Sequence, residues 1–187
     1  VDALRSKLAV TKVEKEILKS ELAGVSIESV MSKFKEELKE IGIDDRQNLY
    51  SLNRARTTEY IEKSESLKLA ITQKETENSI ANTNLVKLEN RYTQLKEEES
   101  SLKYLYDIGS IPKRKWLDKK NEFMAAEKEY EAQKDIVVQS KDSIEEAKKS
   151  LKNYEKERET NILNQIVEKD KMISELESSL AKAKKSY

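Results

Sequence analysis

The sequence has no cysteine and no histidine, and only one proline, one tryptophan and three glycines among its 187 residues. Without Cys there can be no disulfide and no thiolate chemistry. Without His, the commonest general base and the commonest metal ligand are both missing. No clustered set of polar groups that would furnish a pocket stands in for them. No catalytic, cofactor-binding or metal-binding residue is therefore assigned, and no small-molecule substrate is expected. Net charge is lacking too: 36 Lys and Arg balance 36 Asp and Glu, which gives neither the basic footprint of a nucleic-acid binder nor a polybasic surface for a membrane. No apolar run approaches the about 18 residues needed to span a bilayer, and the opening "VDALRSKLAV" lacks the regions of a signal peptide. The chain opens and closes in mid-pattern, so it is expected to be a piece of a longer protein whose targeting and anchoring segments lie elsewhere.

What is present is charge and helical periodicity. With 36% hydrophobic and 39% charged residues, a compact core is poorly supplied, whereas a regular apolar stripe in a chain rich in Ala, Glu, Lys, Leu and Ser favours coiled coil over disorder. Gly24, Gly42 and Gly109 each follow an apolar-periodic stretch, where a left-handed residue commonly ends a helix. They divide the chain into a first helix over 2–23, carrying Leu4, Leu8, Ile17, Leu18 and Leu22, and a short amphipathic helix over 26–41, with Ser26 as N-cap and Ile27, Met31, Phe34, Leu38 and Ile41 on one face. An ascending long helix over 45–106 follows, opened by Asp44 as N-cap with Gln47 in a capping box. Then come a tip turn over 107–112 and a descending long helix over 113–186.

On the ascending helix a seam steps in three-four alternation from Tyr50 through Asn53, Thr57, Tyr60, Ser64, Leu67 and Ile71 to Leu95, Leu102 and Tyr106. On the descending helix it runs from Trp116 through Phe123, Ala126, Tyr130, Val137 and Ile144 to Leu151 and Tyr154. It slips phase over 155–168 and resumes at Ile173, Leu176, Leu180 and Ala183. Two seams separated by a short interruption specify an antiparallel pair. The expected fold is all-α: an elongated antiparallel coiled-coil helical hairpin, roughly 100 Å long at the rise of a helix, with the additional N-terminal helix packed along its base. The seam tyrosines Tyr50, Tyr60, Tyr92, Tyr130 and Tyr154 are read as core, and Asn53 and Asn78 as polar residues that fix register.

The one sharp interruption is "SLKYLYDIGSIPKRKWLDKK", residues 101–120. Trp116 is expected to seal the hairpin end. Lys113, Arg114 and Lys115 fall in a first helical turn, where cations face the positive end of the helix dipole. A partner carboxylate would explain them; the plainer reading is that they extend into water.

The stretch "YLYDIGSIPKRKWLDKKNEF", followed by "AAEKEYEAQ", resembles the hairpin tip of the periplasmic adaptor, or membrane fusion, proteins, with Leu105, Gly109, Ser110 and Ile111 matching the tip pattern. "ALRSKLAVTKVEKEILKSELAG", "RQNLYSLNRARTTEY" and "EKDKMISELESSLAKA" resemble helices of the hemolysin-D-type branch of type I secretion. Ser101 and Pro112 stand where the drug-efflux adaptors carry an Arg and a Ser, so the docking chemistry of those adaptors does not transfer. The resemblance implies a non-enzymatic adaptor in the periplasm, anchored to the inner membrane through a segment outside this chain. It implies an inner-membrane ABC transporter and an outer-membrane channel as partners, and a hexameric homo-oligomer of the full-length protein. The tip residues Tyr104, Leu105, Gly109, Ser110, Ile111, Pro112 and Lys113 would then contact the channel. A self-contained coiled-coil scaffold or spacer is the alternative.

Overall fold

The computed structural model describes residues 1–186 and contains five helices: α1 (Asp2–Ala23), α2 (Ile27–Lys33), α3 (Lys35–Lys39), α4 (Ile43–Asp107) and α5 (Lys113–Lys185). Among the described residues there is no strand and no helix long and apolar enough to cross a membrane. The described residues form two compact units, residues 1–66 with those from 151 onward, and residues 67–150.

In the first unit α1 is the central helix. Ala9, Val13 and Ile17 pack with Ile27, Val30 and Met31 of α2, Ile41, and Leu49 of α4. Another side of α1 places Leu18 against Ile162 and Ile166 of α5. Val13 and Ile17 are almost wholly enclosed, at 0% and 1% exposure, and each such burial contributes about 1.5–3 kcal/mol. α1 runs antiparallel to α5, with Lys12 paired to Glu177, Lys15 to Asp170, Glu14 to Lys169, and the Arg158 guanidinium donating to the Glu21 carbonyl. It runs parallel to α4, since Ile17 shares its cluster with Leu49 while Glu21 accepts hydrogen bonds from Asn53 and Arg56. The N-terminal helix expected to pack against the long helices does so, and is buried on several sides.

Several local expectations change. The helix expected over 26–41 is two helices, because Phe34 leaves helical geometry (φ −106°, ψ 41°) and ends α2 while beginning α3. Ser26 stands at the N-cap but makes no side-chain cap bond. Gly42 has no positive φ, and α4 begins at Ile43, so Asp44 lies inside the first turn instead of capping it. The Arg46 guanidinium donates to the carbonyl oxygens of Leu38, near the end of α3, and of Ile41, just beyond it, so that it ties the exit of α3 to the start of α4. Finally, the inward residues at the start of α4 are Leu49, Asn53 and Arg56: Asn53 keeps its seam position, whereas Tyr50 and Thr57 are exposed. The buried side of α4 is turned here toward α1, one residue away from the seam that continues beyond Tyr60.

The phase slip on α5 coincides with α1. Its inward positions step by four from Tyr154 through Arg158 and Ile162 to Ile166 before alternation resumes through Lys169, Ile173 and Leu176. Three successive four-residue steps exceed the 3.5-residue spacing of a heptad seam and so locally unwind a left-handed supercoil, and the shift lets Arg158 reach both α1 and the Tyr60 ring, 3.8 Å from its centroid.

The second unit is the hairpin proper, α4 against α5 in antiparallel register. Asn78 Nδ2 donates to Ser140 Oγ (2.7 Å), Gln133 Nε2 to the Ala81 carbonyl (3.0 Å), and Tyr92 stacks between Phe123 and Tyr130 at 5.4 and 5.3 Å. Ala81, Leu95, Ala126 and Val137 are buried along this seam.

Candidate docking tip

The reversal of the chain is built by two residue types found nowhere else in this stretch. Gly109 takes φ 80°, the left-handed region that L side chains resist. Its N–H donates to the Tyr106 carbonyl (3.0 Å), and the Ser110 N–H reaches back to the Leu105 carbonyl (2.9 Å), the paired bonds of a Schellman motif. Pro112 precedes α5, where its missing N–H deprives no helical bond. Just below the turn, Tyr106 stacks on Trp116 with ring centroids 5.4 Å apart, and Trp116 Nε1 donates to Glu99 (3.0 Å). Trp116 therefore seals the seam.

Lys119 bridges Glu98 at 3.1 Å and Glu122 at 3.3 Å. Those bonds raise the Lys119 pKa, and the hydrogen bonds from Lys119 and Gln94 lower that of Glu98. Lys120 lies over the Trp116 ring, 5.2 Å from its centroid.

Of the residues singled out by sequence, Tyr104, Gly109, Ser110, Pro112 and Lys113 are exposed, Tyr104 at 64%. Leu105 and Ile111 are only half-exposed, so each serves the turn as well as any contact outside it. Sequence reasoning passed over Ile108 and Leu117, large apolar side chains 57% and 36% exposed on the same end. Ile108 is the C-cap of α4, beyond the last seam position, and a bulky aliphatic there without an inward role was the available signal. Among the described residues no group of three or more acidic side chains is arranged to hold a metal ion.

Two long antiparallel helices, α4 and α5, with α1 packed against both within the first unit, define an all-α structural class. The fold is similar to that of the soluble domain of LipC, a membrane fusion protein of a type I secretion system: TM-score 0.86, 15% identity, covering 99% of this chain and 70% of that one. The helical hairpin implied by the sequence resemblance is thus the fold found. No family model matches the chain, and no curated protein matches it by sequence.

Proposed function

We propose that this chain is the helical region of a periplasmic adaptor of type I secretion, a structural and non-catalytic component. Its hairpin would form part of a conduit between an inner-membrane ABC transporter and an outer-membrane channel. The observation that carries the reading is the match of nearly the whole chain to a membrane fusion protein's soluble domain, joined to a tip that ends in exposed apolar side chains. In the full-length protein the hairpins assemble as a homo-oligomer, a hexamer, anchored to the inner membrane, and the tip residues Tyr104, Leu105, Gly109, Ser110, Ile111, Pro112 and Lys113 meet the channel.

The test is export by the full-length protein. Leu105→Asp and Gly109→Val should abolish export at normal protein level and normal binding to the transporter, while Lys141→Ala, an exposed position on α5, should leave it unchanged. Full export by both tip variants would remove the tip from the mechanism and leave a structural spacer.

A further inference from the structure

Charge is balanced over the chain but not at its turn. Residues 101–120 hold six cations, at 103, 113, 114, 115, 119 and 120, against two carboxylates, Asp107 and Asp118. Two of the cations are engaged from within: Lys119 by Glu98 and Glu122, and Lys120 by the Trp116 ring. Lys113, Arg114 and Lys115 are exposed and have no carboxylate partner among the described residues. They occupy a helical first turn that contains no acidic residue, where each cation costs about 0.3–1 kcal/mol against the helix dipole. Folding gains nothing from this placement. Tyr104, Ile108 and Leu117, within a turn or two of the same chain reversal, are exposed apolar side chains.

We infer that the tip docks on a protein surface presenting an apolar socket rimmed by carboxylates, with Tyr104, Ile108 and Leu117 entering the socket and Lys113, Arg114 and Lys115 meeting the rim. An apolar centre within a polar rim is the usual anatomy of a protein interface, and complementary charge there governs encounter and register. An anionic bilayer is the weaker occupant. The side chain best suited to a lipid interface, Trp116, is turned inward onto Tyr106 with its N–H committed to Glu99. Asp107 and Asp118 also remain exposed on the end that would face the lipid. The inference rests on the adaptor reading for the place of docking, but its content is the chemistry of the partner.

The experiment places a photo-crosslinking amino acid at position 104 of the full-length protein in cells and identifies the crosslinked peptide. The expected product is a peptide of a single protein with Asp or Glu beside apolar residues. The triple charge reversal Lys113→Glu, Arg114→Glu, Lys115→Glu should cut its yield about ten-fold or more, since several rim pairs become repulsive together. Exchanging Lys for Arg and Arg for Lys at the same positions should preserve it, which separates charge from folding. Flotation of the purified chain with vesicles of phosphatidylglycerol, and of phosphatidylcholine alone, should show no binding to either. A neutral crosslinked peptide with an unaffected yield after reversal would overturn the inference while leaving docking intact. An acidic, charge-sensitive partner that is not an outer-membrane channel would support the inference and defeat the channel reading. Binding to phosphatidylglycerol vesicles that the reversal abolishes would replace the protein partner with a lipid surface.

Discussion

Glu21, at the end of α1, lies 2.9 Å from the Arg56 guanidinium of α4, and its carboxylate is 3% exposed while Arg56 keeps 32% of its side-chain surface in water. Asn53 donates a second bond to the same carboxylate, at 2.9 Å. The two partners are therefore unequal. Arg56→Ala leaves a buried carboxylate without its counter-charge and should destabilise the first unit by about 2 kcal/mol, below the roughly 3–5 kcal/mol of a fully buried pair because Arg56 is partly solvated. Glu21→Ala frees a guanidinium that can turn to water and removes a negative charge from a helix C-terminus, so its cost should be smaller, about 1 kcal/mol. Urea denaturation followed by circular dichroism measures both, and an equal or reversed order would show that the pair does not hold α1 in place.

Ser64 supplies a prediction of opposite sign. It is 5% exposed on α4, and its Oγ has no hydrogen-bond partner. Ser64→Ala removes an unsatisfied buried hydroxyl and improves helix propensity, so it should stabilise the protein by about 1 kcal/mol. A loss of stability on the same denaturation assay would mean that the hydroxyl has a partner after all.

The contrast between these residues shows what could be read from sequence. The hairpin, its seams and its turn were legible because they rest on local periodicity and on a Gly and a Pro that interrupt otherwise continuous helix. The stacking of Tyr106 on Trp116 and the bond from Asn78 to Ser140 follow from that register. The central position of α1 was not legible, because its stripe includes Thr11, Ser20 and Glu21, all buried. The burial of Glu21 depends on Asn53 and Arg56 on another helix, and no local pattern announces such partners. The break at Phe34 carries no Gly or Pro, and the outward turn of Tyr50 is decided by where α1 packs. At the tip, Ile108 and Leu117 lie off the periodic seam, which finds inward residues and is silent about outward ones.

The first unit should weaken in alkali. Burial, followed by the negative charge of Glu59, raises the pKa of Tyr154, and the hydrogen bond to Asp170 raises that of Lys15. For a group whose folded pKa lies above its unfolded value, the contribution to stability is complete below the unfolded pKa, here about 10 for Tyr and 10.4 for Lys, and is lost as pH rises through the folded one. Denaturation midpoints measured from pH 8 upward, roughly from the onset of these titrations, should therefore fall above pH 10. Tyr154→Phe should flatten that decline while leaving the neutral-pH midpoint nearly unchanged. An undiminished alkaline slope in Tyr154→Phe would assign the effect to other groups.

Gly109 and Gly42 offer a paired test of the turn. A Cβ added at either glycine meets nothing within 4 Å, but only Gly109 has a positive φ, +80°. Sterics outside the backbone are thus equal, and the difference between the two substitutions isolates conformation. Gly109→Ala should destabilise the hairpin by about 1–2 kcal/mol, the cost of a left-handed L-residue. Gly42→Ala should be neutral or stabilising by up to about 1 kcal/mol, through the reduced freedom of the unfolded chain. Gly109→Val should cost more than Gly109→Ala, because a β-branched side chain resists that backbone still further. The damage should stay near the turn: the seam from Leu67 to Leu102 is held by Tyr92, Phe123 and Tyr130 and by Asn78 with Ser140, none of which touches the Schellman bonds. Amide hydrogen exchange gives the decisive readout. In Gly109→Val, protection should fall for the Ser110 amide, which bonds the Leu105 carbonyl, and stay at the wild-type level around Ala81 and Val137. Loss of protection extending to Ala81 and Val137 would show that the turn nucleates the hairpin rather than merely closing it.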